Sequence, residues 1–236
     1  MPIDQRPFLP DKSGGTGARQ NLFALGATGR TGRHVTDQAI ARGHRVTAMV
    51  RRPQSLNPHA RLNIVIGDPL NADDLAKTLP GHHAVISCLG QRSSTDATLL
   101  QDAAKALVRA MGRTAMRRCV VLSQGLLFPS RNPMIGLFRM MLARHVADST
   151  AMERVLQESS IDWTIVRPPY LKDGGTKRGY RAEVGVAPAG AWSMQRCDLA
   201  TFFWMKWRAT GIHGWWWASP PHRCEPDDSM NGSRGD

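Results

Sequence analysis

The 236-residue chain contains no run of 18 or more apolar residues, so nothing in the sequence is written as a membrane-spanning helix. Residues 1–19 lack the apolar segment of a secretory signal; Pro, Asp, Lys and a Ser-Gly-Gly-Thr-Gly run there read as a disordered leader. Cysteine is scarce, and Cys88, Cys119, Cys197 and Cys224 form no C-x-x-C pair. That argues against a structural zinc or a disulfide framework and fits a reducing cytoplasm. Tyrosine is scarcer, with Tyr170 and Tyr180 alone, and no lysine falls between Lys105 and Lys172. Acidic residues are outnumbered, 19 against 31 basic, for a formal net charge of +12. A nucleic-acid partner is nevertheless not expected. The positive residues are mostly arginines spread along the whole chain, and the cluster Arg113, Arg117 and Arg118 has no interleaved aromatics. Part of this charge would attract an anionic cofactor. The adjacent histidines His82 and His83 cannot face one metal from a strand and have no carboxylate nearby in sequence, so no metal is expected and both are read as surface residues.

Against these absences stands glycine. Ala24-Leu25-Gly26-Ala27-Thr28-Gly29-Arg30-Thr31-Gly32 spaces three glycines as G-x-x-G-x-x-G between an apolar strand, Asn21–Leu25, and a helix, Thr31–Arg42. Such a loop lets the backbone turn off a strand, approach a diphosphate and enter a helix whose first amides face the phosphates. A second strand, Arg45–Val50, then runs into Arg51-Arg52. An acidic residue at this place would hold the 2′-hydroxyl of an NAD ribose, whereas arginine pairs bidentately with a 2′-phosphate, which points to NADP.

The segment Gly26-Ala27-Thr28-Gly29-x-Thr31-Gly32 resembles the cofactor loop of the atypical short-chain dehydrogenase/reductases. Within them, the chain is most similar to the NAD(P)H-binding group that includes biliverdin-IXβ reductase (flavin reductase) and the NmrA-like proteins. Glu158–Pro169, with Ile161-Asp162-Trp163-Thr164-Ile165-Val166-Arg167-Pro168 at its centre, repeats the pattern these families carry at their sixth strand, and Met194–Leu199 resembles their I-S-R-x-D-L-A segment. The resemblance spans roughly Asn21 to Thr201. It implies a Rossmann fold, a doubly wound parallel α/β sheet in a single domain over 20–218, with a disordered tail at 219–236. It also makes Gly26, Thr28, Gly29, Arg30, Thr31 and Gly32 the diphosphate loop.

The remaining strands are read at Leu62–Ile66, Ala84–Cys88, Arg118–Ser123, in the segment that Pro168 and Pro169 end, and at Glu183–Val186. Helices are read at Ala72–Leu79, Thr95–Met111, Ile135–His145 and Thr150–Gln157. Gly67-Asp68-Pro69-Leu70 matches a family turn whose Asp borders the adenine, with Ile66 or Leu70 as a wall; capping the turn before the next helix is a compatible role for Asp68. Leu89 and Gly90, at the carboxyl end of the fourth strand, would border the nicotinamide, while Cys88 is read as a core residue. Ser123 stands where the short-chain reductases place a serine that hydrogen-bonds the substrate carbonyl. The Y-x-x-x-K pair of those enzymes is absent, as it is in the biliverdin-IXβ/flavin reductases. The helix rich in Met134, Leu137, Phe138, Met140, Met141 and Leu142 either adapts to a flat apolar ligand or fills a core. His145 is either a proton donor near Ser123 or a structural residue. Tyr170–Arg181 is read as a loop and lid over the substrate.

The expected activity is NADPH-dependent hydride transfer to a flat conjugated small molecule, a flavin or linear tetrapyrrole, oriented by Ser123, with the proton taken from water. The alternatives are a non-catalytic NADP sensor of NmrA type and an epimerase-like relative.

Beyond Thr201 the character of the chain changes: Thr-Phe-Phe-Trp-Met-Lys-Trp is followed by Trp215-Trp216-Trp217. Trp and Met each have one codon. Read from the third base of each codon, Phe203 to Trp207 becomes Leu-Asp-Glu-Val (or Met), and Trp215–Trp217 becomes Val-Val: a helix end and an apolar strand, as the fold calls for. The expectation is a frameshift near Thr201, which leaves Trp215–Trp217 as a sticky patch; the alternative is a genuine Trp-rich edge strand.

Overall fold

Leu22, Phe23, Ala24 and Leu25 are apolar without interruption because both faces of their strand are covered. In the computed structural model, which describes residues 19–52, 56–91, 97–175, 181–184, 193–206 and 214–219, this strand is the centre of the molecule. Strands and helices alternate: β1 (Asn21–Leu25), α1 (Arg30–Ala41), β2 (Arg45–Val50), β3 (Leu62–Ile66), α2 (Ala72–Thr78), β4 (Ala84–Ser87), α3 (Leu99–Gly112), β5 (Arg118–Leu122), α4 (Pro133–Met141), α5 (Ala143–Gln157), β6 (Asp162–Val166), β7 (Tyr170–Lys172), β8 (Arg181–Val184), β9 (Ser193–Gln195), α6 (Arg196–Lys206) and β10 (Gly214–Ser219). The main sheet runs β3-β2-β1-β4-β5-β6-β10-β8 and is parallel throughout except for the antiparallel β10–β8 pair; β7 and β9 form a small parallel pair of their own. The chain is thus the expected doubly wound α/β sheet. The order reverses beside β1, and that switch point opens at the carboxyl ends of β1 and β4.

Alternation along β1 sends its side chains into two cores. Leu22 and Ala24 pack with Val35 and Ala39 of α1 and Leu199 and Phe202 of α6. Phe23 and Leu25 pack with Leu75 of α2, Leu107 and Met111 of α3, and Met152 and Leu156 of α5.

Several boundaries differ from the sequence reading. Helix α1 begins at Arg30 on Gly29, and α3 begins at Leu99. The helix read at Ile135–His145 is broken at Leu142, where φ is −105° and ψ 24°, so α5 starts at Ala143 and runs unbroken to Gln157. Helix α4 buries none of its residues, and Met140 and Met141 are 69% and 70% exposed, so the methionines do not fill a core. The loop read at Tyr170 opens instead as β7, because Tyr170–Lys172 pairs with Ser193–Gln195; the strand expected at Glu183–Val186 lies at Arg181–Val184. The Trp-rich segment is an interior strand, not an edge, for β10 lies between β6 and β8. His82 is half-buried rather than on the surface: its ring meets Phe23 edge-on at 5.6 Å, and its Nε2 lies 2.8 Å from the Thr47 hydroxyl. The leader up to residue 18 and the tail from 220 lie outside the described residues.

Candidate cofactor and active site

The glycine loop is built by exclusion. Gly26 has φ +72°, and a Cβ there would sit 2.5 Å from the Cys88 carbonyl oxygen, so only glycine lets β1 turn this close to the end of β4. At Gly32 a Cβ would lie 2.1 Å from the Gly26 carbonyl oxygen, which lets α1 start directly against the turn. The Gly29 N–H donates to the Gly26 carbonyl at 3.0 Å and closes that turn. Gly29 then caps α1 without a side chain, so the first amides of the helix, Arg30 and Thr31 among them, are left to an anion. Thr31 is buried, Thr28 half-buried and Arg30 exposed. Arg30 reaches out from the loop to Asp173, 3.3 Å away, and Asp173 also accepts from Arg196 at 2.7 Å. Partial desolvation pushes the Asp173 carboxyl up, but the hydrogen bond and charge of Arg196, with the charge of Arg30, outweigh it and hold the group below the usual aspartate range.

Around this loop the other predicted residues fall along the carboxyl edge of the sheet. Arg51 and Arg52 follow the end of β2 and are exposed, and among the described residues neither enters an ion pair. Asp68 follows β3, and its carboxylate accepts from the Leu70 N–H at 3.0 Å, which gives it the turn-forming role. Ile66 and Leu70 beside it are 69% and 41% exposed, an apolar surface open to a planar ring. Leu89 is half-buried and Gly90 exposed, with open space where a Gly90 side chain would be. Cys88 and Cys119 are buried, and burial pushes both thiols up to about 12, so neither is a nucleophile at neutral pH. A hollow of about 550 Å³ lined by Asn21, Arg45, Thr47, Arg61 and His82 opens at the opposite, amino-terminal edge, away from where such sheets bind ligands.

Ser123 follows β5, with its N–H bonded to the Val166 carbonyl at 2.7 Å. Its hydroxyl donates to Glu153 Oε1 at 2.5 Å. Glu153, 2% exposed, also receives both arms of Arg167: Nε at 2.9 Å on Oε1, and Nη2 on Oε2. The guanidinium carbon of Arg167 stands 4.8 Å from the centre of the buried Phe128 ring. On the same face of α5, Asp148 accepts from the Leu100 and Gln101 amides at 3.0 and 2.9 Å and from the Gln91 side chain. Ser149 accepts from Gln124 at 2.7 Å. One helix therefore ties down the segments that leave β4, β5 and β6. Sequence reading missed Asp148, Glu153 and Arg167. For Asp148 and Glu153 the signal was acidic residues among the apolar positions of a helix, which a surface helix also shows; Arg167 stood in the motif at the sixth strand with nothing to mark its partner. His145 offers its backbone carbonyl, which accepts from Gln124 at 2.9 Å.

In the arginine cluster, Arg113 pairs with Asp73, Arg117 points at the Met111 carbonyl, and Arg118 is buried against Asp162 and Thr164. Among the described residues no group of His, Cys, Asp and Glu could hold a metal, and no helix is long and apolar enough to cross a membrane.

A glycine turn against β4, an uncapped helix and the switch point beside β1 define a dinucleotide-binding protein of the doubly wound class. More particularly, the chain belongs to the NAD(P)H-binding family, whose model matches residues 26–204. Its fold is shared with an anaerobilin reductase from Escherichia coli O157:H7 (TM-score 0.71, 18% identity, covering 86% of this chain and 98% of the other). A proposed NADH-flavin reductase from Streptococcus pneumoniae TIGR4 is equally similar (0.70, 22%, 86% and 100%). So is a short-chain dehydrogenase/reductase from Veillonella parvula DSM 2008 in complex with NADP (0.69, 19%, 87% and 96%).

Proposed function

We propose that this protein is an NADPH-dependent reductase that passes hydride to a flat conjugated small molecule such as a flavin or a linear tetrapyrrole. The observation that carries the reading is the pairing of the Gly26–Gly32 cradle, which side chains would fill, with two exposed arginines where an NAD site would carry an acid. The amides at the start of α1 would hold the diphosphate, Arg51 with Arg52 the 2′-phosphate, and Asp68 with Ile66 and Leu70 the adenine side. Leu89 and Gly90 would border the nicotinamide, which supplies the hydride from its C4. Ser123 orients the acceptor. The Y-x-x-x-K pair is absent from the sequence, so the proton comes from water, which suffices when the acceptor is already a good electron sink. Fold neighbours named for anaerobilin and flavin reduction support this class of acceptor, and the few, scattered cysteines, with no C-x-x-C spacing, support a reducing cytoplasm.

The test is NADPH oxidation with and without FMN. Oxidation that depends on FMN is expected. Tight NADP binding with no turnover of flavins, quinones or tetrapyrroles would favour a cofactor sensor, which the missing Y-x-x-x-K pair also suits.

A further inference from the structure

The short-chain reductase serine is read as a donor to a substrate carbonyl, but the surroundings of Ser123 give it the opposite polarity. Its hydroxyl donates to Glu153 Oε1 with 2.5 Å between the two oxygens, within the range of a hydrogen bond to an ionised carboxylate. Glu153 cannot turn away. Both of its oxygens are held by Arg167, it is 2% exposed, and Arg167 is itself packed over Phe128. A carboxylate paired in this way only accepts, so the shared proton is the serine's, and the hydroxyl has only lone pairs left for a ligand. Those lone pairs lie at the carboxyl end of β5, the edge where ligands of such sheets sit. Against a ketone or aldehyde oxygen they would place acceptor against acceptor, whereas an N–H would complete the serine's hydrogen bonding.

We infer that Ser123 is a hydrogen-bond acceptor that selects molecules presenting a ring N–H, such as the imide edge of an isoalloxazine or a lactam or pyrrole N–H of a tetrapyrrole, with Glu153 and Arg167 as its positioning residues. The inference rests on the reductase reading above for the class of molecule, but it is separable by experiment.

The full-length protein saturated with NADP⁺ is titrated with lumiflavin and with 3-methyllumiflavin, followed by flavin fluorescence. The unaltered protein should bind the N–H compound about tenfold more tightly, the equivalent of one such bond. Ser123→Ala should bring the two dissociation constants together. Glu153→Gln, which keeps the shape and frees the hydroxyl to turn, should shrink the ratio. A serine with a merely structural role would weaken both flavins alike and leave the ratio unchanged. Equal affinity in the unaltered protein, a ratio that survives Ser123→Ala, or no binding of either flavin overturns the inference. NADPH consumption with lumiflavin, a quinone and a tetrapyrrole is measured alongside. A tenfold ratio in binding without consumption of NADPH by lumiflavin, a quinone or a tetrapyrrole refutes the reductase reading and leaves the polarity of Ser123 standing.

Discussion

At the scale of the residue, the cofactor end of the site rests on a few atoms whose effect can be stated in advance. Arg51 leaves β2 exposed to solvent, where its guanidinium can meet a 2′-phosphate at both arms. Arg51→Ala should weaken NADPH by about 1–3 kcal/mol, the size of a hydrogen bond to a charged group, and leave NADH nearly unchanged. Titration with the two cofactors checks this, and equal affinity in the unmutated protein would refute the assignment. Gly32 makes a sterically harder prediction. A methyl 2.1 Å from the Gly26 carbonyl cannot be absorbed by a flexible side chain, because the obstacle is backbone. Gly32→Ala should separate α1 from the turn, abolish dinucleotide binding and lower stability by about 1–3 kcal/mol. Unaltered binding and melting would show that the turn is not the cradle.

At the scale of the element, α5 is the member that makes the edge of the sheet a site. Positions 148, 149, 152, 153 and 156 lie within about 140° of one another at 100° per residue. The same face that sends Met152 and Leu156 into the core therefore presents Asp148, Ser149 and Glu153 to the strand ends. Asp148 is also the cap of another helix: Thr98 makes no side-chain cap for α3, and Asp148 takes the Leu100 and Gln101 amides instead. Asp148→Ala strands the buried Leu100 amide and the part-buried Gln101 amide and should cost about 1–3 kcal/mol by denaturant unfolding, well above the few tenths typical of a surface helix position. A change within 0.5 kcal/mol would mean that α3 finds another cap. This arrangement was illegible in the sequence for a physical reason. A cap supplied from 48 positions away has no local spacing to betray it, whereas the glycine turn is made by neighbours and shows itself at once.

At the scale of the whole molecule, the carboxyl-terminal segment carries the clearest tension between sequence and fold. Phe202, Phe203 and Trp204 are consecutive and all buried, with Trp204 stacked on His44 at 5.5 Å. Three successive helical positions span ~200°, wider than the stripe a surface helix offers its core. Strand β10 then places Trp215, Trp216 and Trp217 in an interior strand, paired with β6 on one side and β8 on the other. The reading shifted by two bases puts leucine and aspartate after Phe202 and valines in the strand, which suits a helix end and a buried parallel strand. Restoring that frame from about Thr201 is expected to raise the melting temperature and solubility while leaving the Gly26–Gly32 loop intact. A restored protein no more stable than this one counts against the frameshift.

What the chain determined by itself were the features made by near neighbours. The turn at Gly26 to Gly32, the arginines that replace an acid after β2, the uninterrupted apolar strands and the missing tyrosine–lysine pair are all visible in the order of residues. Backbone sterics and local charge need no distant partner to act. The polarity of Ser123, the capping of α3 by Asp148, the bridge from Arg30 through Asp173 to Arg196 and the interior place of β10 came only with tertiary structure. Each joins groups far apart in sequence, and only the packing of α5 and α6 against the two faces of the sheet brings them within a hydrogen bond of one another.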